Sequence, residues 1–556
     1  MTILLRPAVT ADIAGQATVR VNAGDATLDA LGIPYATATL DVPLAVVPEL
    51  DDLDPRADTR IIVRAEDAVA GTFRTFNLGL RSRTIDHNAR SVTVELASDE
   101  ALLFDYVTLT QLTTRQHQAS LRAVVTAVLA KIGATLAAGT PDANVTAYWP
   151  ITNTLANPSV EGSLAPWTAA GGSRLFNADI AMPATGVKSA GWESLGAGLL
   201  AFAPHVLNQG PSVAPGRTYV FSGYALAYLA TPARTIRACI RWLNDSGTAV
   251  GVDVEGVNVA INPSTWVRCS IIGTAPVGAS RAELFWRVAG GTATGQFGYV
   301  DAAMFYEGDE LVPYFAGDTP ASSTYTYAWA TAANASASTR TPATLREPEL
   351  FVWKPGTSAW DYLQPFTTSA GLRLYCDEAR VWRLVDPATH AVAGVVSLAG
   401  WNSARGADTI SREDADVFAT GVVVRYAWTD PDGIAHTAYD AAGTPSRVFV
   451  LDMGRPYPGP GAAAKILARR DGAGRTQEVA ALVNWATTPG MEASITMPAA
   501  PLQRGKVTAV RFSLGDDALM DVSTRGLIDI PGDSWAFGPD TVTWENVVGT
   551  WATFKW

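Results

Sequence analysis

Apolar and polar residues alternate with a period of two along much of the first 110 residues, which predicts strands with one buried face. The clearest such stretches are 59–65, 73–78 and 91–96. The polar spacer 81–90 predicts a hairpin connection. Between Leu121 and Ile132 the apolar residues recur every third or fourth position, and Gly133 follows. That change of period predicts an amphipathic helix packed on the adjoining sheet.

The middle of the chain again has strand-like stretches, separated by turn residues. They are 218–226, 235–243, 265–271 and 281–288. Residues 244–247 read Asn-Asp-Ser-Gly, a sequence that favours a tight turn because Asn, Asp and Gly tolerate left-handed backbone. Strands at this spacing predict a sandwich or jelly roll.

A small, polar stretch at 330–342 then predicts a weakly structured linker. After it, Ser358 and Asp361 form a capping-box start for a helix that Gly371 would end, with Pro365 as a predicted kink. Further strands and a short helix are predicted at 372–376, 381–385, 421–426 and 461–470.

The composition agrees with a mainly β protein of several domains. The chain has 556 residues, of which 48% are hydrophobic and 17% charged, so we expect about three or four packed domains. Its formal charge of −12, without clustered Lys or Arg, argues against sequence-specific nucleic-acid binding.

The three cysteines, Cys239, Cys269 and Cys376, have no metal-binding spacing and are expected to be buried thiols. Cys239 and Cys269 could also pair across neighbouring strands. The first residues do not read as a signal peptide, and no stretch has the ~18 apolar residues of a membrane-spanning helix. We therefore expect synthesis and assembly in the host cytoplasm.

The middle segment is similar to the carbohydrate-binding jelly rolls that accompany glycoside hydrolases. The shared elements are residues 157–161, Trp167, residues 215–219, Trp266 and Asp301. The resemblance implies a β-sandwich inserted at 151–318, with Trp167 as a packing residue. It also implies a structural Ca²⁺ near Glu161 and Asp301. Calcium binds six to eight oxygens, so two carboxylates with backbone carbonyls would form part of its shell; an ordinary pair of turn carboxylates is the alternative.

The flanking segments resemble the tail-tip hub, or minor tail, proteins of long-tailed phages that infect actinobacteria. The matching stretches are 314–320, 325–329, 360–365, 370–377, 488–491 and 549–554. The resemblance implies β-barrel-type hub domains with short helices at 1–150 and 346–530, a return linker at 319–345 and a docking tail at 531–556. It further implies a homotrimer that closes the tail tube and meets the distal tail protein, the tape-measure protein and other minor tail proteins.

Carbohydrate recognition requires aromatic faces that stack on sugar C–H groups. Candidates by residue type are Trp192, Tyr224, Trp242 and Trp286, each of which could instead lie in the core. Near the end of the chain, Trp544, Trp551 and Trp556 are candidate assembly residues that dock on a neighbouring subunit or on the same one.

No catalytic residues are predicted. Adjacent carboxylates occur only in turn-like contexts, the five histidines lack zinc-binding spacing, and there is no GxSxG motif. We therefore expect a structural virion protein of the tail tip that requires no cofactor and attaches to host cell-wall glycan. The alternatives are a cell-wall glycoside hydrolase with a binding module, or a hub whose jelly roll is only a spacer.

Overall fold

In the computed structural model the protein is mainly β, with 48% of residues in strands and 11% in helices, which confirms the predicted fold class. The structure describes residues 8–530 except 14–16, 48–49, 68–71, 171, 183–185, 197–199, 229–233, 290–293, 388, 404–407, 411–417, 430–432, 471–474, 498–500 and 516. The assembly candidates Trp544, Trp551 and Trp556 lie outside the described residues.

The chain forms two compact units. Unit 1 comes from both ends of the chain, Met1–Ala147 and Arg346–Trp556, and unit 2 is Tyr148–Leu345. The polypeptide therefore leaves unit 1, builds unit 2 and returns.

The first segment of unit 1 contains eight described strands and two α-helices. The strands are β1 (Ala8–Ile13), β2 (Ala17–Arg20), β3 (Ala23–Asp29), β4 (Ala36–Pro43), β5 (Arg60–Asp67), β6 (Thr72–Asp86), β7 (Ser91–Ala97) and β8 (Leu112–Thr113). The helices are α1 (Glu100–Asp105) and α2 (Leu121–Leu129). The Ser120 hydroxyl caps α2, a 3-10 turn at Ala130–Ile132 extends it, and Gly133 ends this turn in a left-handed conformation, as predicted.

Unit 2 consists of strands and connecting loops in its described part. The strands are β9 (Ile151–Asn153), β10 (Thr168–Ala170), β11 (Ser173–Ala178), β12 (Ser189–Ser194), β13 (Leu200–Ala203), β14 (Thr218–Ala227), β15 (Arg234–Leu243), β16 (Val254–Glu255), β17 (Val259–Ile261), β18 (Val267–Thr274), β19 (Arg281–Ala289), β20 (Phe297–Glu307), β21 (Tyr325–Trp329) and β22 (Ser338–Pro342).

The second segment of unit 1 adds more strands and two α-helices. The strands are β23 (Val352–Trp353), β24 (Arg373–Cys376), β25 (Trp382–Val385), β26 (Val395–Ala399), β27 (Asp408–Ile410), β28 (Gly421–Thr429), β29 (Ala435–Gly443), β30 (Val448–Met453), β31 (Arg475–Leu482), β32 (Glu492–Thr496), β33 (Leu502–Ser513) and β34 (Leu519–Ile530). The helices are α3 (Ala359–Ala370), which Ser358 caps and which continues through Pro365, and α4 (Ala462–Arg470).

Short 3-10 helices complete the described elements of the chain. They are Leu44–Val46, Leu50–Leu53, Pro55–Ala57, Arg115–His117, Ala130–Ile132 and Pro348–Phe351.

A large sheet joins the two segments of unit 1. Its strand order is β2-β1-β5-β6-β7-β4-β3-β33-β34-β31-β27, with β32 added to β33 and β26 added to β32. The segments meet where β3 pairs antiparallel with β33, for example at Leu28 and Val510. Both residues are fully buried in one hydrophobic core that draws on both segments. Burial of this shared core holds the ends of the chain in a single body.

Unit 2 is a two-layer sandwich. One sheet has the order β10-β13-β19-β15-β16, with β17 also on β15, and the other has the order β11-β12-β20-β14-β18. We call the second sheet the β14 sheet. Side chains from both sheets fill the space between them as one core.

The predicted hairpin connection at 81–90 is present but shorter than expected, whereas the prediction of a weakly structured linker is wrong. Strand β6 continues to Asp86, so the hairpin turn is only 87–90; Arg83 and its neighbours pair with β7 instead of forming a loop. The expected linker 319–345 contains β21 and β22, which pair with each other, and β22 also pairs with β9. Arg340 lies 4.2 Å from the Tyr325 ring centroid, and this packing orders a stretch whose small, polar composition indicated a linker.

Candidate functional site

Three of the four aromatic residues predicted to bind sugar are core residues. Trp192 and Trp286 have no exposed surface, and Trp242 is 2% exposed. The Trp286 ring stacks on Trp167 and Phe202 at centroid distances of 5.5 and 5.7 Å. The prediction is therefore wrong for Trp192, Trp242 and Trp286, because their strands turn these faces towards the opposite sheet. Trp167 is a packing residue, as expected.

Tyr224 lies on the opposite, outer face of the β14 sheet. Its neighbours Phe221 and Ala225 are in the sandwich core, whereas Tyr224 is only half-buried. The Arg268 guanidinium carbon lies 5.5 Å from the Tyr224 ring centroid. Of the four candidates, Tyr224 alone has the exposure that a ligand contact requires.

Beside Tyr224, the outer face carries an aromatic cluster that the sequence analysis did not select. Phe176, Tyr228, Trp266 and Phe297 are half-buried and pack against Leu226 and Tyr299. We call this cluster the outer aromatic patch.

The rings of the outer aromatic patch are in contact across neighbouring strands. Tyr228 stacks on Phe297 at a centroid distance of 3.9 Å, and Phe176 meets Phe297 edge-on at 6.1 Å. Such a surface can stack on the apolar face of a sugar ring. The sequence does contain the signal, since Tyr224, Leu226 and Tyr228 follow one another at period two.

Gly191 makes room for one ring of the patch. It is the register partner of Phe176, and a β-carbon at position 191 would lie 2.4 Å from atoms of the Phe176 ring. A larger residue would displace the ring. Glycine at this position is therefore needed for the patch.

The rest of the outer face is covered within unit 2. Val220, Met304 and Tyr306 form a buried cluster with Ile151 and Phe315. The open part of the sheet is therefore the part that carries Tyr224 and the outer aromatic patch.

Polar groups flank the open part. Arg268 Nη2 donates to Ser222 Oγ at 2.9 Å, whereas its buried Nε has no hydrogen-bond partner in the described structure. Burial lowers the pKa of Arg268. At the other side, Arg174 and Glu193 form an ion pair of 2.6 Å next to Phe176. These groups could orient a polyhydroxylated ligand by hydrogen bonds.

Asp301, one of the two predicted calcium ligands, lies at an irregularity of β20. The register shifts so that Ala302 and Ala303 lie opposite the single residue Gly223, and Ala302 has a φ of 55°. Asp301 has no exposed surface, and its carboxylate accepts hydrogen bonds from Ala302 N at 2.6 Å and Met182 N at 2.9 Å.

Glu161, the other predicted ligand, accepts hydrogen bonds from Val187 N and Lys188 N at 3.0 Å. The two carboxylates therefore hold the two ends of the segment 182–188. These hydrogen bonds are the ones expected if Glu161 and Asp301 are an ordinary pair of turn carboxylates and bind no calcium.

The same region has three further buried oxygen atoms that could bind a hard cation. They are Asn157 Oδ1, which accepts no hydrogen bond in the described structure, and the hydroxyl groups of Ser159 and Tyr314, which lie close to each other. Burial raises the pKa of Tyr314, and Asp301 and Glu161 add to that rise, so this hydroxyl lies within reach of both carboxylate charges.

The backbone of the same region has an unusual conformation. Asn157 and Val160 have φ values of 55° and 51°, a conformation that costs energy for a β-branched residue such as Val160. Ala303 N donates to Pro158 O at 2.9 Å, which joins this segment to the irregular part of β20. No group of three or more His, Cys, Asp or Glu side chains suited to a metal occurs among the described residues. A cation here would therefore depend on amide, hydroxyl and carbonyl oxygens as well as the two carboxylates.

All three cysteines are buried and unpaired with one another, so the alternative Cys239–Cys269 disulfide is wrong. Burial raises the pKa of the Cys239 thiol to about 11, which makes it unreactive. Within the described ranges, no helix is long and apolar enough to cross a membrane.

No protein-family model matches the chain, and no curated protein matches it either. Among solved structures, the tail protein from Neisseria meningitidis MC58 matches 94% of this chain and 96% of its own, at 10% identity and a TM-score of 0.39. The CBM22-1 xylan-binding domain from Paenibacillus barcinonensis Xyn10C matches 28% of this chain and 94% of its own, at 14% identity and a TM-score of 0.22.

Tailspike protein 4 of bacteriophage CBA120 matches 28% of this chain at 18% identity and a TM-score of 0.23, and the match spans 21% of that tailspike chain. None of these TM-scores reaches the level that establishes a shared fold over the whole chain. The architecture described above therefore rests on the strand order and packing of this protein itself.

Proposed function

We propose that the protein is a structural component of a phage tail tip and that unit 2 attaches the virion to glycan on the host cell surface. The observation that carries the proposal is the outer aromatic patch, an open stacking surface on a sandwich inserted into a different body. The resemblance of the flanking segments to tail-tip hub proteins supports the virion role.

In this proposal unit 1 is the hub. Its two chain segments share one sheet and one core, so a module can be inserted between them without interrupting the body. The hub would assemble as a homotrimer at the distal end of the tail, against the distal tail and tape-measure proteins. Trp544, Trp551 and Trp556 are proposed to take part in this assembly.

The proposed glycan site comprises Tyr224, the outer aromatic patch and Arg268. Tyr228, Phe297 and Phe176 offer ring faces, and Arg268 offers hydrogen-bond donors at the edge. Three copies of a weak site would act together, since linked sites raise overall affinity far above that of one site.

A calcium ion is proposed to stabilise unit 2 rather than to act in chemistry. Glu161, Asp301, Asn157 and Ser159 would contribute oxygens to it. The ion would supply charge compensation for the buried Asp301.

The test is binding of the full-length protein to host cell-wall polysaccharide. Tyr228→Ala removes a ring face that stacks on Phe297, so we expect about tenfold weaker binding, the usual effect of losing one aromatic anchor. Tyr439→Ala is the matched control, because Tyr439 is 63% exposed on β29 of unit 1 and should not affect binding.

Equal binding of Tyr228→Ala and the unchanged protein would reject the glycan site. It would favour a jelly roll that acts only as a spacer. Release of soluble sugar from the polysaccharide during the same incubation would instead favour the cell-wall glycoside hydrolase, and the proposal of a non-enzymatic role would then fail.

A further inference from the structure

A cavity in unit 1 has the chemistry of an anion site. It has a volume of about 90 Å³ and lies where the loop after β3 meets the β24–β25 hairpin and strands β33 and β34. The side chains that give it this character are Tyr35, Arg373, Tyr375, His390, Lys506 and Arg525. None of the residues that line it, all in the described part of the chain, is acidic.

Arg373 is held in place at the wall of this cavity. Its Nη2 donates to the carbonyl oxygens of Asp29 at 3.2 Å and Gly32 at 2.8 Å. Its guanidinium carbon lies 5.9 and 5.5 Å from the ring centroids of Tyr35 and Tyr375. The Nε and Nη1 groups make no hydrogen bond to any described residue. The guanidinium is therefore fixed in position and can still donate hydrogen bonds from these two nitrogens to a ligand.

Two further cations line the same cavity. Lys506 on β33 and Arg525 on β34 are direct register partners, so their side chains emerge on the same face. Like charges placed directly opposite each other repel. Lys506 forms no ion pair within the described ranges, and its other register partner, Glu492, contacts Arg504 at 3.5 Å instead.

His390 and the two tyrosines complete the lining. Burial lowers the pKa of His390, and the positive charges of Arg383 and Lys506 lower it further. Within the described residues, the hydroxyl groups of Tyr35 and Tyr375 make no hydrogen bond, so both can donate to a ligand. The ring centroids of these two lining tyrosines are 4.9 Å apart, so the side chains lie next to each other.

The charges of Glu100 and Asp29 act on Arg373, and the charge of Glu378 acts on Tyr35 and Tyr375. Glu378 is engaged by Arg74. Glu100 is buried behind Arg373, where burial raises its pKa to about 7, and it accepts a hydrogen bond from Ser98 Oγ at 3.0 Å. The charged residues that line this cavity, Arg373, Lys506 and Arg525, are all basic, although the chain as a whole has a formal charge of −12.

We propose that this cavity binds a small oxyanion, either a phosphate or a carboxylate group. Arg373 would donate from its Nε and Nη1, Lys506 would supply a point charge, and the tyrosine hydroxyls would complete the shell. A single water needs about 10–15 Å³ of such volume, so the cavity holds a group of a few heavy atoms and excludes a nucleotide. The proposal is independent of the glycan site, which belongs to unit 2.

The test is titration of the full-length protein with inorganic phosphate and, separately, with acetate, by calorimetry at constant ionic strength set with sodium chloride. We expect saturable binding of at least one anion. Tighter binding of phosphate would identify a phosphate group as the natural ligand, and tighter binding of acetate a carboxylate.

Lys506→Gln should lower the affinity for the preferred anion about tenfold, because a charge-assisted hydrogen bond is lost. Lys506 is exposed, so the substitution should not disturb the core. Lys354→Gln removes the same charge from an exposed position outside the lining and should leave binding unchanged. Absence of saturable binding for both anions, or equal binding by the protein and its Lys506→Gln variant, would overturn the proposal.

Discussion

Glu378 accepts a hydrogen bond from Arg74 Nε at 3.0 Å, although the two residues are 304 positions apart. Their side chains are 14% and 10% exposed. Arg74 also donates to the carbonyl oxygens of Trp485 at 2.9 Å and Thr487 at 2.7 Å. One buried guanidinium thus ties the first chain segment of unit 1 to two parts of the second.

We expect Glu378→Gln to lower the free energy of unfolding of unit 1 by about 3 kcal/mol, because it leaves the Arg74 charge buried without its counter-ion. Urea unfolding of the full chain measures this change. The control is Asp452→Asn, which breaks the exposed Arg425–Asp452 pair and should cost less than about 1 kcal/mol. A loss no larger than that of the control would mean that the segments do not depend on this pair.

His205 should make the stability of unit 2 sensitive to acid. Its Nε2 accepts a hydrogen bond from Leu284 N at 2.9 Å, and its Nδ1 lies 2.8 Å from the Val206 carbonyl oxygen, so the buried ring is neutral with its proton on Nδ1. Burial lowers its pKa below the ordinary value of about 6.5. Protonation would remove the acceptor for Leu284.

Proton linkage gives the direction in which the stability of unit 2 changes with pH. Between the lowered folded-state pKa and about 6.5 the unfolded chain binds more protons, so stability is complete above about pH 6.5 and is lost as the pH falls below it. Urea midpoints of unit 2 should decline from pH 7.5 to 5.5. His205→Gln keeps an oxygen acceptor and should make the decline of the midpoint with pH smaller. If the midpoint of this variant declines as steeply as that of the unchanged protein, other groups cause the pH dependence.

Gly191→Ala should weaken glycan binding with little loss of stability. The new β-carbon would displace the Phe176 ring from the outer aromatic patch, while the sandwich core lies on the other side of the sheet. We expect binding to cell-wall polysaccharide to fall several-fold, as for the loss of an interface aromatic. Gly454→Ala is the control, since a β-carbon at that position in unit 1 meets no atom within 4 Å. If Gly191→Ala binds the polysaccharide as tightly as the unchanged protein, Phe176 is not part of the glycan site.

Removal of calcium should destabilise unit 2. If an ion balances Asp301 and Glu161, a chelator such as EGTA will lower the thermal midpoint of unit 2, and added calcium will restore it. Glu161→Gln should reduce that response, because a carboxylate ligand is lost. If neither the chelator nor calcium changes the thermal midpoint, the calcium proposal is wrong. Glu161 and Asp301 then act only as hydrogen-bond acceptors at the ends of the segment 182–188.

Local chemistry in the sequence was sufficient for several elements of the fold. Helix α2 begins at the Ser120 cap and closes before Gly133, and α3 lies between Ser358 and Gly371, because capping groups and left-handed glycine act over a few neighbouring residues. The alternation that predicted β5, β7, β14, β15 and β19 is likewise a local property.

Tertiary structure decided which face of each strand became the site. A period of two separates the faces of β12, β15 and β19 but does not say which face meets the second sheet, so Trp192, Trp242 and Trp286 were indistinguishable from ligand-binding aromatics. The outer aromatic patch joins β11, β14 and β20, and the cavity at Arg373 joins β24 to β33, through contacts between residues far apart in the chain. Such contacts form only when the sheets pack, because burial of apolar surface between layers, rather than any local preference, selects them.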